Sequence, residues 1–334
     1  MKIAVDAMGS DNAPHSEVEG AVAAARAFGV GVILVGREEV VCPLVKERGG
    51  DRLPVEVRHA PQAIAMDEQP VAALRRKKDS SVHIAAGLVR DGESSGLVSA
   101  GNTGAVMAIS KTLIGVVPGV DRPALATVVP TLKGHAVLLD VGANVTCKPH
   151  HLIQFALMGH LFSRQIVGVN SPRVGLMSVG EEESKGTDLT KGVYKSLKQL
   201  QLNFIGNVEG RDIYSGRADV IVCDGFTGNV ALKTSEGLIE AVLTLLKDEL
   251  SKNLQARVGA LLSRQSFMRL KKRLDYSEYG GAPLLGLRGV SIICHGRSSA
   301  NAIKNAIRVA KEFAENQVNA KLEEELRVLY RQYE

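Results

Sequence analysis

An α/β fold on a largely parallel sheet is what this 334-residue chain predicts, and three observations carry the expectation. Short apolar runs alternate with longer helix-like stretches along its whole length. Six of those runs end in loops rich in Gly, Asn, Asp and Ser, as expected where a strand passes into a helix. Aromatic residues make up only 4%, with no Trp, and 34 glycines are present, which suits tight strand–helix junctions packed by small side chains.

Residues 3–7 read as a first strand, 18–28 as an Ala-rich helix and 31–35 as a second strand. Further short apolar runs at 55–58, 96–99, 174–179, 204–205, 220–223 and 290–294 read as strands, with helical stretches between most of them. The runs 125–129 and 136–140 flank the turn-like Thr131-Leu132-Lys133-Gly134 and are expected to pair as an antiparallel hairpin. A helix over 299–313 opens with a serine. No low-complexity linker or fixed-period repeat interrupts the chain, so residues 1–334 are expected to form one domain.

Residues 247–274 stand apart. They hold eight basic and two acidic residues, a net +6, whereas the whole chain carries +5. Such a patch suits an acidic protein surface, an anionic lipid surface, or a solvated helix face. Leu254, Val258, Leu261, Leu262 and Met268 fall on one helical side, and Phe267, Leu270 and Leu274 on the opposite one. One straight helix would be apolar on two sides, so a projecting helical hairpin within residues 251–275 is expected.

Several classes are disfavoured. Cys42, Cys147, Cys223 and Cys294 form no C-x-x-C pair, which argues against a zinc site or disulfide framework and for a reducing cytoplasm. The chain opens directly on KIAVDAMG rather than a signal peptide, and no run approaches the roughly 18 apolar residues of a membrane span. A cytoplasmic protein is expected. Sparse aromatics offer no base-stacking platform, so no nucleic-acid partner is expected. The segment 180–187 places its Lys before the second Gly, unlike a P-loop, and no G-x-G-x-x-G follows the first strand. Gly92-Glu-Ser-Ser-Gly96 precedes a strand, the wrong side for a nucleophile elbow. His150 and His151 are adjacent and should point in different directions on a helix, so no metal site is expected.

The six loops are 6–14 (DAMGSDNAP), 99–104 (SAGNTG), 140–144 (DVGAN), 180–188 (GEEESKGTD), 224–229 (DGFTGN) and 295–298 (HGRS). They are expected to converge on one crevice at the carboxyl ends of the strands, where small residues and free helix-start N–H groups can hold an anion. Candidate contacts for a bound anion such as phosphate are Ser99, Gly101, Asn102, Thr103, Asn144, Thr227, Gly228, Arg297 and Ser298. Lys185 and Asn229 are the polar candidates for catalysis. Asn102 and Asn229 are equally suited to be helix N-caps, and a loop lysine to be solvated.

Taken together, VDAMGSDNAP, SAGNTGA, DVGAN, GEEESKGTD, EGRDI, DGFTGNVALK, YGGAPLLGL and CHGRS cover the chain nearly end to end. They resemble the acyl-ACP:phosphate acyltransferases of bacterial phospholipid synthesis, ACP being the acyl carrier protein. More distantly, DGFTGNVALK is similar to phosphate acetyltransferases. The family's first loop usually reads Met-Gly-Gly-Asp-His-Ala-Pro, whereas this chain has Ser10 and Asn12. The resemblance implies a three-layer α/β/α fold of the isocitrate/isopropylmalate dehydrogenase type, a homodimer, and no organic cofactor. It implies transfer of a fatty acyl group from acyl-ACP to inorganic phosphate. The acyl phosphate would pass to a membrane glycerol-3-phosphate acyltransferase, and Lys185 and Asn229 would serve catalysis. A thiolate leaving group needs little protonation, so a held phosphate and a stabilised oxyanion suffice without an acyl-enzyme. The competing enzyme is an acyl-CoA-dependent phosphate acetyltransferase, which should show a nucleotide site. The competing non-enzyme is a membrane-associated scaffold, for which only residues 247–274 speak.

Overall fold

The computed structural model describes residues 1–274 and 279–331. Asp275, the last residue of the expected hairpin, lies outside them. Eleven strands form one sheet: β1 (Lys2–Asp6), β2 (Gly31–Gly36), β3 (Val55–His59), β4 (Gly96–Ser99), β5 (Ala124–Thr131), β6 (Gly134–Leu139), β7 (Val174–Met177), β8 (Phe204–Val208), β9 (Val220–Val222), β10 (Ala282–Leu285) and β11 (Val290–Ile293). Their order is β3-β2-β1-β4-β11-β10-β5-β6-β9-β7-β8.

The expected hairpin β5–β6 is present, from Ala126 opposite Leu139 to Thr131 opposite Gly134. β10 was not among the expected strands, and it adds two antiparallel pairings, to β11 and to β5. The sheet thus has two parallel blocks, β3-β2-β1-β4-β11 and β6-β9-β7-β8, which the β5–β6 hairpin sets in opposite directions. Register decides what this does to the loops. Ile293 lies opposite Ala282, Leu284 opposite Leu125, Thr127 opposite Leu138, and Leu138 beside Ile221. The last residue of β11 therefore lies in one row with the penultimate residues of β6 and β9. The blocks are offset so that their carboxyl ends face each other, and the expected crevice lies along that row.

Strand alternation builds two cores. Ile3 and Val5 of β1 join one buried cluster with Val32, Leu34, Ile303 and Ile307, while Ala4 joins another with Ile33, Val35, Val82, Ala85 and Ile109. The first cluster is covered by the helices His15–Phe28, Pro149–Phe162 and Ala300–Glu315, the second by Ser81–Arg90 and Thr103–Leu113. Helices on both faces explain why GVILVG of β2 is buried throughout. The result is the three-layer α/β/α arrangement.

Residues 225–251 form a single 27-residue helix, Gly225–Ser251. The basic segment follows as the helices Leu254–Leu262 and Arg264–Leu274. Leu254, Val258, Leu261 and Leu262 are exposed, as a projecting hairpin requires. The second helix turns back, however, and Arg273 donates to the carbonyl oxygen of Thr131 at 2.7 Å.

Candidate active site

Each loop is first a piece of local structure. Asn102 caps the helix Thr103–Leu113, its side-chain oxygen accepting from Ala105 N at 3.0 Å, and its Nδ2 donates to the carbonyls of Met66 and Glu68 at 2.9 Å each. Ser99 donates through Oγ to the buried Asp6 carboxyl at 2.7 Å and accepts from Gly101 N at 3.1 Å. Burial raises the Asp6 pKa, against the lowering effect of its hydroxyl donors. Asp140 accepts from the backbone N–H groups of Leu125, Gly142, Ala143 and Asn144, while Asn144 Nδ2 donates to it and to Pro123 O. Thr227 donates through both its N–H and its hydroxyl to the N-cap Asp224. Gly228 is packed so closely that a Cβ there would overlap the carbonyl oxygen of Asp140 and lie 2.9 Å from Cys223 Sγ. Ser99, Gly101, Asn102, Asn144, Thr227 and Gly228 thus hold the loops in shape, and their polar atoms bind other parts of the protein.

The start of the long helix is correspondingly less open to an anion than its glycines suggest. Gly225 N donates to Asn144 O, Thr227 N to Asp224 Oδ1 and Gly228 N to Asp224 O. At the helix Thr103–Leu113, by contrast, the N–H groups of Thr103 and Gly104 meet no hydrogen-bond partner among the described residues. That end keeps a positive dipole pole exposed.

Thr103, Asn229 and Ser298 do come together. They line a small cavity of about 150 Å³ over the central row, with Thr127, Val141, Lys233, Ala282, Cys294 and His295 among its walls. Asn229 is exposed and its side chain makes no hydrogen bond among the described residues, so its amide is available to a ligand. Arg297 lines an adjoining groove of about 670 Å³, which shares Thr127, Leu232, Glu236 and His295 with the cavity. The groove runs along the long helix past Val129, Tyr214, Ile239 and Leu243. It continues into a space of about 360 Å³ closed by Leu238, Leu270 and Leu274. Lys185 is not brought into the cavity. Its loop follows β7, separated from β6 by β9, and its side chain is exposed beside Gly180.

The thiols here are poor nucleophiles. Burial pushes Cys294, in the cavity wall, up to about 12 and Cys147 up to about 11, and it raises Cys223 as well. Each stays protonated near neutral pH. Cys42 is exposed on the separate helix Glu38–Glu47.

Two features escaped the sequence. The loop 295–298 was among the six, but His295 was not singled out in it as a contact, because what it faces depends on a helix laid over β5. His150 and His151 do not diverge as expected. At the first turn of the helix Pro149–Phe162 both Nε2 atoms reach Asp121 Oδ2, at 2.9 and 2.7 Å. His151 folds back because its Nδ1 accepts from Lys148 N, so its proton sits on Nε2, facing Asp121. In that tautomer the neutral His151 ring donates a hydrogen bond from Nε2 to Asp121 and offers no Nε2 lone pair to a metal, and burial lowers its pKa.

A small cavity that gathers the polar groups of Thr103, Asn229 and Ser298 and opens into a long groove, at the carboxyl ends of two facing strand blocks, has the form of an enzyme's active site. The chain belongs to the fatty acid synthesis protein family, whose profile matches residues 1–321. It is 57% identical to a phosphate acyltransferase of Acidobacterium capsulatum over 96% of both chains. It is 52% identical to one of Geotalea daltonii over 100% of this chain and 96% of the other. It is an acyltransferase. Among solved structures, a phosphotransacetylase from Streptococcus pyogenes shares its fold, with a TM-score of 0.61 and 17% identity over 95% and 94% of the two chains. A phosphotransacetylase from Staphylococcus aureus does so with a TM-score of 0.58 and 16% identity over 94% of each.

Proposed function

We propose that the chain transfers a fatty acyl group from acyl-ACP to inorganic phosphate, supplying acyl phosphate for phospholipid synthesis. The observation that carries this reading is the continuity of the small cavity, where Thr103, Asn229 and Ser298 meet, with the long groove beside it. Its volumes, about 670 and 360 Å³, exceed what a two-carbon acetyl group needs. An acyl-CoA enzyme would fill such space with the CoA moiety, so the carrier requirement in the assay below decides between the two.

In this reading phosphate lies in the cavity near the Thr103 helix start, Asn229 and Ser298, and the acyl tail lies along Tyr214, Ile239 and Leu243. A phosphate oxygen attacks the thioester carbonyl carbon, forming the new C–O bond. The tetrahedral oxyanion collapses, the C–S bond breaks, and the phosphate's proton goes to the departing thiolate. Asn229 orients phosphate or carbonyl. Lys185 supplies positive charge to phosphate, oxyanion or the acidic carrier as its loop meets the substrate. No acyl-enzyme is required, in keeping with the protonated thiols. Incubation with a long-chain acyl-ACP should give free ACP and acyl phosphate only when phosphate is present. Mass spectrometry without phosphate should show unmodified enzyme. A stoichiometric adduct on Cys or Ser, or a requirement for CoA, would count against the reading.

The setting we propose is cytoplasmic, as a homodimer that touches an anionic membrane surface. No helix among the described residues is long and apolar enough to span a membrane. The outer face of the long helix exposes Phe226, Val230, Val242 and Leu245, a stripe that a second copy would cover. Leu261 and Leu262, 70% and 83% exposed, crown the basic hairpin, which suits reversible insertion beside anionic lipid. Replacing both with Glu is expected to abolish sedimentation with anionic vesicles and leave the dimer intact. A monomeric or unfolded variant would show that the hairpin is an interface instead.

A further inference from the structure

One donor at the junction of cavity and groove has no role in the scheme above. Only four residues line both spaces: Thr127, Leu232, Glu236 and His295. If phosphate occupies the cavity and the acyl tail the groove, the thioester carbonyl must lie at that junction. Leu232 has no donor, and Glu236 is an acceptor already paired with Lys233 at 2.8 Å. The Thr127 hydroxyl is free to rotate. His295 is different, because one of its ring nitrogens is held by the backbone. Arg297 N–H donates to His295 Nδ1 at 3.1 Å, so in the neutral ring the proton is on Nε2. No group among the described residues hydrogen-bonds that Nε2–H. The loop carrying it is tied down on three sides: Cys294 N donates to Ser99 O at 2.8 Å, Asp11 N to Gly296 O at 2.9 Å, and Ser298 N to His295 O at 2.9 Å.

We infer that His295 is a catalytic residue whose Nε2–H donates to the thioester carbonyl oxygen and stabilises the oxyanion formed when phosphate adds. The imidazole keeps its proton throughout. A donor held in place before the reaction loses no energy to reorganisation as charge develops, so its effect falls on the chemical step. The inference rests on the phosphate–thioester reading proposed above, and the Nδ1 contact separates a catalytic from a merely structural role. Asn at 295 can replace the Nδ1 acceptor that holds Arg297 N–H, whereas Gln can extend an N–H donor towards the Nε2 position.

Three full-length variants, His295→Ala, His295→Asn and His295→Gln, are to be assayed with a long-chain acyl-ACP and inorganic phosphate. Their thermal melting is to be recorded alongside. The expected result is a loss of about 10²-fold in kcat for Ala, with little change in KM for acyl-ACP, the signature of an interaction made in the transition state. Asn is expected to restore melting but not kcat, and Gln to recover at least about tenfold in kcat. Recovery of kcat by Asn, Gln no better than Ala, a loss confined to KM, or wild-type turnover in the Ala variant would each overturn the assignment. If the wild-type protein itself makes no acyl phosphate, the underlying phosphate–thioester reading is what fails.

Discussion

Gly228→Ala is expected to destabilise the protein by about 3 kcal/mol, and to cut turnover by at least about 10²-fold in the fraction that folds. In most helices the same change is favourable, because alanine has the better intrinsic propensity. Here the added methyl would overlap the Asp140 carbonyl oxygen and press on Cys223 Sγ at 2.9 Å. Neither neighbour can yield cheaply, since Asp140 is buried and organises the 140–144 loop through five hydrogen bonds from four residues. The next residue is Asn229, whose side chain packs against Gly142, so a shift of the helix start misplaces the amide facing the cavity. Thermal denaturation should show a fall in Tm of roughly 4 °C for a chain of this length. Gly237→Ala supplies the contrast within the same helix. A Cβ there meets nothing within 4 Å, and a gain of about 0.5–1 kcal/mol is expected. Equal effects at the two positions would refute the packing argument.

Lys185→Ala is expected to lower kcat by about 10²-fold with stability within about 0.5 kcal/mol of the parent. The side chain is exposed and forms no ion pair among the described residues, so its removal leaves no buried partner stranded. Its loop opens beside the strand that feeds the Asn229 helix, and a cation there can meet phosphate or an acidic carrier during binding. Steady-state kinetics of the folded variant decide the matter. Unchanged turnover would remove Lys185 from the catalytic scheme, and a loss confined to KM for acyl-ACP would make it a carrier contact.

The sequence by itself determined every strand but β10, the positions of the motif loops and the β5–β6 hairpin, because these depend on residues close together in the chain. An apolar run such as VIVC at 220–223, followed by Asp-Gly, is enough to end a strand, and Asn102 caps its helix as its residue type suggested, whereas the long helix is capped by Asp224 and not by Asn229, which lies within its first turns. The +6 of residues 247–274 and their unburied leucines were legible for the same reason. What tertiary structure decided was long-range. β10, whose APLL includes a proline and only four residues, pairs with β5 some 160 residues earlier, and no local pattern encodes that register. Two antiparallel pairings through β10 leave β5 parallel to β11, so the β5–β6 hairpin is what reverses one half of the sheet, while the β10–β5 register slides the carboxyl ends of the two halves onto a common level. It also chose among residues of equal promise: Ser99, Asn144 and Thr227 spend their polar atoms on the loops, while Thr103, Asn229, Ser298 and the unexpected His295 face open space. A side chain's type fixes which hydrogen bonds it can make. Only the packing of distant segments fixes whether those bonds are already made within the protein or left for a substrate.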